Sequence, residues 1–350
     1  MAIARAAELL RGGGTVAFPT ETVYGLGANA LDRVAVAKIF AAKQRPGWDP
    51  LIVHVADAAM LARVVQGELP FRARELMEAF WPGPLTLLLP RSAAVPDAVT
   101  AGRPLVGVRM PAHPVALELI RRAGVPIAAP SANRFGHTSP TTAAHVLEDL
   151  DGRIDAVLDG GATEVGVEST VIGPWDGHVD MSGWSQDDID FYGAPWVVYR
   201  PGGVTISMLE SLGGVGFVAY TPPVQADEPE SLPSPGVGIR HYAPRARVVL
   251  VHEDLKVYLP TQQVVAAIDE AFDGVATVGV MLPDGWDASC AQAVFRWGAW
   301  SDHETLARRL FAGLRELDDR GVDVIVCPVP NGAGMAAAIR DRLEKAARVK

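Results

Sequence analysis

The sequence predicts an α/β protein with two domains. Short apolar runs alternate with segments of helical periodicity, a pattern typical of α/β and α+β folds. The 350 residues suffice for two domains, and 49% apolar with 21% charged residues is the composition of a globular chain. Residues 221–235 contain five prolines and no apolar periodicity. We therefore predict a first domain at 1–219, a linker at 220–245 and a smaller second domain at 246–350.

Each element of the first domain follows from periodicity and from its end signals. Residues 1–11 carry charges at helical spacing, which predicts an amphipathic helix rather than a secretion signal. Apolar runs predict strands at 15–18, 51–55, 85–89, 105–108, 127–129 and 170–172. Apolar residues three and four apart predict helices at 32–43, 70–80, 114–122 and 141–150.

The second domain continues this alternation. Strands are expected at 247–252, 276–281 and 322–326, and helices at 301–317 and 335–347. These elements predict a second, smaller α/β layer behind the linker.

Charge and composition argue against several classes of protein. The net charge of −10, with no block of consecutive basic residues, argues against tight binding of RNA or DNA phosphates. No apolar run approaches the ~18 residues of a membrane-spanning helix. Two cysteines, Cys290 and Cys327, cannot form a disulfide framework or a four-cysteine zinc site. We therefore expect a reducing, cytoplasmic environment.

Two glycine-rich segments match the dinucleotide-binding fingerprint loosely. Residues 25–30 are separated from the preceding strand by a segment that includes Pro19-Thr-Glu-Thr22, and residues 332–337 open the last helix. Both lack the context of a dinucleotide site. Because the sequence has no Walker phosphate loop, any bound ATP is held in another way.

Polar residues follow or interrupt several predicted strands. Pro19-Thr-Glu-Thr22 comes directly after the first strand, and ligands in open α/β sheets bind beyond strand ends. The same residues also suit a turn with a helix N-cap. His54 lies inside one apolar strand and Arg109 ends another. A satisfied core residue is the more common role for such side chains.

Two cations stand at the end of the helix predicted at 32–43. Lys43 falls on the apolar face of Val36 and Ile39, and Arg45 follows it. A lysine and an arginine in a partly buried site suit a polyphosphate. The alternative is that both charges only complement the negative end of the helix.

The distribution of the polar segments predicts a groove for an anionic small molecule. Hydroxyl, amide and cationic residues recur at strand ends, without metal-ligand spacing or a catalytic triad. The segments concerned are Pro130-Ser-Ala-Asn133, Ser139, Glu168-Ser169 and Arg200, followed beyond the linker by Ser234 and His241-Tyr242.

In this order the motifs resemble the YrdC-type family of threonylcarbamoyl-AMP synthases. The resemblance rests on Pro19-Thr-Glu-Thr-Val-Tyr-Gly-Leu-Gly27, Lys43-Gln-Arg45-Pro46, Pro50-Leu-Ile-Val-His54, Val108-Arg109, Pro130-Ser-Ala-Asn133, Glu168-Ser-Thr-Val171 and Arg200-Pro-Gly202. Ser234-Pro-Gly236, His241-Tyr-Ala-Pro244 and residues 334–347 resemble the tail of the long, two-domain form. The resemblance covers nearly the whole chain.

This resemblance implies a YrdC-like twisted mixed sheet whose helices form a concave open groove, plus a smaller Rossmann-like C-terminal domain. It implies a nucleotidyltransferase that joins L-threonine, bicarbonate and ATP, with Mg²⁺ accompanying the ATP. The products would be threonylcarbamoyl-AMP and pyrophosphate. A separate tRNA threonylcarbamoyltransferase complex would then modify the adenosine beside the anticodon, so this step needs no tight contact with tRNA.

The family's site residues carry over onto matching positions. Lys43 and Arg45 would hold the phosphates and act in catalysis. Threonine would be framed by Thr22, His54, Arg109 and Ser169. The nucleotide would also contact Ser131, Asn133, Ser139, Arg200, Ser234, His241 and Tyr242. The linker would cross the groove as a lid, and no side chain is expected to ligate a metal.

Three segments depart from the family's pattern. Val237-Gly-Ile239 replaces a basic and an aromatic residue, and Phe135 stands where a small residue is common. Residues 176–195 are longer than the usual connection, and we interpret them as an inserted hairpin or loop.

Two other functions stay open at this point. One is an RNA-binding module that uses the concave face of the sheet. The other is a carbamoyltransferase of hydrogenase maturation, which normally carries zinc-finger segments that two cysteines cannot supply.

Overall fold

The structure is a computed structural model that describes residues 1–175, 195–213, 216–220, 231–237, 241–252, 260–271, 276–287 and 290–348. It contains a large mixed sheet in the first part of the chain and a four-stranded parallel sheet in the last part. The predicted insertion at 176–195 lies almost entirely outside the described residues. No helix among the described residues is long and apolar enough to cross a membrane.

The large sheet has ten strands in the order β10-β9-β8-β4-β5-β3-β6-β2-β1-β7. Their bounds are β1 Val16–Phe18, β2 Gly25–Asn29, β3 Ile52–His54, β4 Leu85–Pro90, β5 Leu105–Arg109, β6 Ile127–Ala128, β7 Ala156–Val157, β8 Thr170–Pro174, β9 Trp196–Arg200 and β10 Phe217–Ala219. In the middle of the sheet, β4 and β8 and also β3 and β5 are parallel, whereas β4 and β5 and also β3 and β6 are antiparallel. The N-terminal ends of some strands therefore lie next to the C-terminal ends of others at the same edge of the sheet.

Helices cover the sheet and build its core. Their bounds are α1 Ala2–Arg11, α2 Arg33–Lys43, α3 Ala58–Val64, α4 Phe71–Phe80, α5 Asp97–Thr100, α6 Pro114–Ala123, α7 Ala143–Leu150 and α8 Ile206–Glu210. Caps define the ends that matter for the site. The Asp32 side chain accepts hydrogen bonds from Val34 and Ala35 at the start of α2, and Gln44 ends that helix in the left-handed conformation.

The C-terminal part is a parallel α/β layer. Its strands are β11 Arg247–His252, β12 Val278–Pro283, β13 Ala293–Gly298 and β14 Val324–Val329, in the order β11-β14-β12-β13. The helices are α9 Pro260–Ala271, α10 His303–Asp319 and α11 Met335–Ala347. All three strand pairs are parallel, which agrees with the expected Rossmann-like layer.

The two layers share a buried apolar contact. Val23 and Val167 of the first part belong to the same apolar cluster as Phe311 of α10 and Ile339 of α11. A side chain at Gly166 would stand 2.3 Å from the Cα of Arg308, so α10 lies directly against that backbone. The C-terminal layer therefore packs on the segment that leads into β8.

Most of the predicted elements are present, with several corrections. Each predicted strand and helix of the first domain has a counterpart, but the strands β2, β7, β9, β10 and β13, the short helices α3, α5 and α8, and the 12-residue helix α9 were missed. Residues 25–29 form β2 rather than a phosphate loop, and a side chain at Gly27 would stand 2.7 Å from the Phe18 ring. Ser139 lies close enough to the helix predicted at 141–150 to be its cap, but the structure shows that Thr142 caps α7.

Candidate active site

A small, covered cavity of about 50 Å³ lies where the ends of several strands of the large sheet meet the linker. The Thr20–Tyr24 turn and the Pro130–Ala132 segment are tied together there. Leu26 donates its N–H to Pro130 O, and Ala132 donates to Tyr24 O, both at 2.8 Å. A cavity of this size has room for a few water molecules, at ~10–15 Å³ each on this measure.

Helix α2 delivers two cations to this region. Because Gln44 turns the chain in the left-handed conformation, Lys43 and Arg45 leave the helix end in different directions. Arg45 lines the cavity. Its Nε donates to Asp49 O at 3.1 Å, its Nη2 donates to Pro50 O at 2.7 Å, and its Nη2 lies 2.9 Å from Asp49 Oδ2. Asp49 therefore fixes the plane of the Arg45 guanidinium.

Lys43 supports the wall of the cavity from behind. Its ammonium donates to Ser131 O at 2.6 Å, to Asn133 O and to Asn133 Oδ1. Its side chain is fully buried, and burial, followed by the charge of Arg45, holds the pKa of Lys43 well below its usual value. The cation thus shapes the Ser131–Asn133 turn, which also carries the Ser131 hydroxyl into the cavity.

On the opposite side, Arg109 is held in a frame of three partners. Its Nε donates to Gly83 O at 3.1 Å, its Nη1 donates to Thr22 Oγ1 at 2.9 Å, and its Nη2 lies 2.6 Å from Glu21 Oε1. Burial tends to raise the pKa of Glu21, but Arg109 outweighs it and keeps that pKa below its usual value. The pair stays ionised, so Arg109 is a fixed cation in the wall.

His54 faces the same cavity as a neutral base. Its ring packs edge-on against Phe18 at 6.3 Å, and its Nδ1 has no hydrogen-bond partner among the described residues. Burial, and then the charge of Arg109, lowers the pKa of His54 to about 3. A neutral imidazole nitrogen is therefore free to meet a polar group of a ligand.

Ser169 and Arg200 form the floor. The Ser169 hydroxyl pairs with Thr86 Oγ1 at 2.8 Å and accepts from Arg200 Nη2 at 3.1 Å. Arg200 also donates from Nε and Nη2 to Ser169 O. Its Nη1 reaches Pro235 O of the linker at 3.3 Å, so one guanidinium joins the floor to the linker.

The linker covers the cavity. Leu232 N donates to Trp48 O, and Pro235 and Gly236 line the cavity from above. Rings continue this cover from one layer to the other: Trp48, Phe135, His241, Tyr242 and Phe311 lie in successive contact at centroid distances of 4.7–5.7 Å. Phe135, the residue that departs from the family's pattern, is part of this stack.

The structure brings most of the predicted site residues together. Nine line the cavity: Thr22, Arg45, His54, Arg109, Ser131, Ser169, Arg200, His241 and Tyr242. The other four contact a lining residue from behind. Lys43 donates to Ser131 O, Asn133 accepts from the Ser131 hydroxyl, Ser139 donates to Glu168, and Ser234 donates to Pro235 O.

Sequence reasoning missed the partners that orient these groups. Glu21 and Glu168 stand inside quoted motifs, but nothing local shows which arginine each one meets. Asp49 lies four residues after Arg45, a spacing that could have indicated the ion pair. Arg342 lies three residues after the buried Ile339 in α11, the same signal that singled out Lys43.

Chemically, the cavity suits an anionic ligand with a polar body. Arg45, Arg109 and Arg200 surround it, with hydroxyl groups of Thr22, Ser131 and Ser169 between them. Among the described residues, no group of three His, Cys, Asp or Glu side chains could hold a metal ion. Fixed cations and hydrogen-bond donors can position phosphates and neutralise developing charge without a protein nucleophile.

A larger cleft of about 590 Å³ lies between the two layers, beside Arg134–Thr138 and Arg315. Several of its charged side chains form ion pairs with one another, as those of the smaller cavity do. Arg315 contacts Glu148 at 2.9 Å and Asp149 at 2.8 Å, and Arg245 contacts Asp318 at 3.0 Å. The smaller cavity, whose lining converges from the ends of several strands and from the linker, is the better candidate for chemistry.

Two family models match successive parts of the chain. The model described as "Telomere recombination" matches residues 8–181, and the model described as "Threonylcarbamoyl-AMP synthase, C-terminal domain" matches residues 204–348. The second match begins inside the predicted first domain, and the domain boundaries at 219 and 246 stay a prediction.

Curated relatives cover nearly the whole chain. The threonylcarbamoyl-AMP synthase of Pyrococcus abyssi is 43% identical over 97% of this chain and 92% of its own length. The Bacillus subtilis protein of the same name is 43% identical over 99% of this chain and 92% of its own length. A crystal structure of P. abyssi Sua5 complexed with L-threonine matches with 42% identity and a TM-score of 0.84, over 99% of this chain and 94% of that one.

Proposed function

Since this chain belongs to the two-domain Sua5 branch of the YrdC-type threonylcarbamoyl-AMP synthases, we infer that it makes threonylcarbamoyl-AMP and pyrophosphate from L-threonine, bicarbonate and ATP. The chain is thus an enzyme of nucleotidyl transfer. The product would pass to a tRNA threonylcarbamoyltransferase complex, and a cytoplasmic location is part of the proposal.

One observation carries the assignment of the site. The residues that we assign to the amino acid, Thr22, Arg109 and neutral His54, line the same cavity as Arg45 and Arg200, which we assign to the nucleotide. Two substrates that must react with each other need such a shared space, because holding them together removes much of the entropic barrier.

We propose that Arg109 pairs with the carboxylate of threonine. Its guanidinium is pre-oriented by Glu21 and Gly83 O, and its Nη1 faces the Thr22 hydroxyl at 2.9 Å. A planar guanidinium suits a carboxylate better than an ammonium does. The neutral His54 would then face the amine or the hydroxyl of the amino acid and add no second cation near the reacting amine.

The chemistry needs placement and charge neutralisation. The amine of threonine captures CO₂ or bicarbonate to give a carbamate, whose oxygen attacks the α-phosphorus of ATP while pyrophosphate leaves. Arg45 and Arg200 would neutralise the charge that develops on the phosphate oxygens. Lys43 would act with them once its contacts to the Ser131–Asn133 turn rearrange around the nucleotide.

Mg²⁺ belongs to the proposal as part of the ATP substrate. Asp49, Glu168 and Glu21, the carboxylates nearest to the site, are each engaged by an arginine. We therefore assign no step to the ion beyond its delivery on the phosphates.

The linker would act as a lid. A cavity of about 50 Å³ is too small for a nucleotide, and Pro235, Gly236, His241 and Tyr242 form its cover. Entry of ATP then requires that the cover lift, and closure would exclude water from the reacting groups. Of the segment Val237-Gly-Ile239, which departs from the family's pattern, residues 238 and 239 lie outside the described residues, so the proposal rests on Pro235, Gly236, His241 and Tyr242.

The test is pyrophosphate release with ATP, Mg²⁺, bicarbonate and one amino acid at a time. We expect release only when threonine and bicarbonate are both present. Release with another amino acid in place of threonine would change the substrate but keep the reaction. A folded sample that binds ATP and releases pyrophosphate with no amino acid would overturn the proposal.

A further inference from the structure

One buried cation crosses from the C-terminal layer into the site. Arg342 of α11 is fully buried, and it meets residues of the first layer. Its Nε lies 2.8 Å from Glu168 Oε2, and its Nη1 donates to Pro201 O at 2.8 Å. Its Nη1 also contacts Asp341 on its own helix at 2.6 Å. The Arg342–Glu168 pair joins residues 174 positions apart in the chain.

Glu168 connects Arg342 to the side of the cavity that we assign to the nucleotide. Its Oε2 is bound by Arg342, and its Oε1 accepts the hydroxyl of Ser139. Burial tends to raise the pKa of Glu168, but Arg342 and then Arg200 outweigh it and keep the carboxylate ionised. Glu168 lines the cavity beside Ser169. The positions of Glu168 and Ser169 therefore depend on α11.

Helix α11 also holds the cover of the cavity. The Arg342 guanidinium lies 5.3 Å from the centroid of the Tyr242 ring, within the range of a cation–π contact. His241 N donates to Lys345 O at 3.4 Å. Tyr242 adopts φ +64, so this backbone needs outside support. One helix of the C-terminal layer thus touches the floor and the cover of the same cavity.

Loss of the Arg342 cation would remove the ion-pair partner of Glu168 and leave the charge of Arg200 to compensate the carboxylate in part. Glu168 is buried and has Arg342 as its ion-pair partner, and a buried carboxylate without its cation must move or take up a proton. Either change releases Ser139 and the Glu168–Ser169 backbone. Arg342 therefore affects the geometry of the site, and not only the packing of the C-terminal layer on the first layer.

We propose that Arg342 is a positioning residue through which the C-terminal layer holds Glu168, Ser139 and Tyr242 in place for the nucleotide. The inference rests on the proposed function, since it assigns the nucleotide to that side of the cavity. It gives the C-terminal layer a defined contribution to the reaction, although none of its helices lines the cavity.

The test compares Arg342→Met, Arg342→Lys and Glu168→Gln with wild type in threonine-dependent pyrophosphate release. We expect Arg342→Met to raise KM for ATP clearly more than KM for threonine, with a total loss in kcat/KM of about 10²-fold. Lysine keeps the positive charge but lacks the two-pronged guanidinium that reaches Glu168 and Pro201 O together. The kcat/KM of Arg342→Lys should therefore lie between those of wild type and Arg342→Met. Titration calorimetry with a non-hydrolysable ATP analogue measures the same loss without turnover.

Two matched controls separate positioning from packing. Arg340→Met lies on the same helix, where Arg340 donates only to Pro330 O and Gly332 O of its own layer. Arg308→Met removes a contact between the layers, to Glu164 O, away from the cavity. Both should keep the wild-type ratio of the two KM values, whatever they do to the melting temperature.

A double-mutant cycle tests whether Arg342 acts through Glu168. If Arg342 acts through Glu168, the Arg342→Met, Glu168→Gln double variant should lose no more activity than the worse single variant. Losses that multiply, or equal rises in both KM values, would overturn the inference. If Arg342→Met fails to fold, Arg342→Lys and Glu168→Gln carry the same comparison. Wild-type enzyme without threonine-dependent release would instead overturn the proposed function.

Discussion

Lys43 is a side chain to which we assign a part in both stability and chemistry. Its ammonium is fully buried and donates to the carbonyl oxygens of Ser131 and Asn133. The sequence predicts a phosphate-binding lysine, and the structure adds that the same group shapes the turn behind the Ser131 hydroxyl. Substitution therefore affects the wall and the charge of the site together.

We expect Lys43→Met to lower threonine-dependent pyrophosphate release by at least about 10²-fold, because a preorganised cation is lost. The carbonyl oxygens left without a charged donor should cost about 1–3 kcal/mol of unfolding free energy, with the fold retained. Lys38→Met is the matched control, since Lys38 lies on the same helix and donates only to Gly13 O. Wild-type turnover in Lys43→Met would remove Lys43 from the site.

His54 makes stability depend on pH. Its pKa of about 3 in the folded protein lies below the 6.5 of an ordinary histidine. The unfolded chain therefore takes up a proton between pH 6.5 and 3 while the folded protein does not, so stability present above pH 6.5 is lost as the pH falls.

Between these two pKa values, each pH unit changes the unfolding free energy by about 1.4 kcal/mol. His54 alone should therefore lower the unfolding free energy by roughly 2 kcal/mol on going from pH 6.5 to pH 5. We expect His54→Gln to reduce the pH dependence of the unfolding free energy by that amount, measured by urea titration at pH 7 and pH 5. His252→Gln, at an exposed position of β11, controls for removal of a histidine. An unchanged pH dependence in His54→Gln would contradict the neutral, buried state.

At the scale of elements, turns and termini decide where functional groups point. Helix α2 starts at an Asp cap and ends at a left-handed Gln44, so its last turn presents Lys43 and Arg45 to different surfaces. The linker also turns at a residue with positive φ. Gly236 has φ +73, and a side chain there would stand 2.5 Å from the Tyr242 hydroxyl. Close approach of linker and ring thus requires glycine at this position.

We expect Gly236→Ala to displace Tyr242 and to lower pyrophosphate release, with a rise in KM for ATP as the main kinetic change. Gly213→Ala is the matched control, because Gly213 also has positive φ, +69, but a Cβ atom added there would meet no other atom within 4 Å. Both substitutions should lower the melting temperature through backbone strain. Equal activity in the two variants would show that the contact with Tyr242 does not matter for turnover.

The elements also show the limits of local patterns. Capped helices such as α2 and α6 and apolar strands such as β4 were predicted within a few residues. Strand β2 was missed because its glycines resemble a phosphate loop, and only the ring of Phe18 against Gly27 shows that they serve close packing. Strand β9, an apolar run ending in Arg200, was passed over because it follows the segment interpreted as an insertion.

At the scale of the molecule, the C-terminal layer completes a site that the first layer contains. It packs on Val23 and Val167, beside the Thr20–Tyr24 turn and the Glu168–Ser169 segment. Two apolar side chains and the Glu168 carboxylate would meet water without it. The first layer alone should therefore fold less stably and position its nucleotide side less well.

Truncation after Ala219 tests this dependence. We expect a folded fragment with a lower melting temperature and weaker pyrophosphate release, because it lacks Arg342, Tyr242 and the linker. Circular dichroism establishes the fold, and the kinetic assay gives the activity. Kinetics identical to those of the full chain would show that neither the linker nor the C-terminal layer contributes to turnover.

The sequence by itself determined the α/β class, most strands and helices of the first layer and the motifs that carry the family, because these depend on neighbours within a few residues. Only the tertiary structure decided which charged atoms meet. Arg109 with Glu21, and Arg342 with Glu168, are buried pairs between segments far apart in the chain. Nothing local specifies such pairs, since each charge is tolerated in the interior only once folding has brought its partner within hydrogen-bond distance.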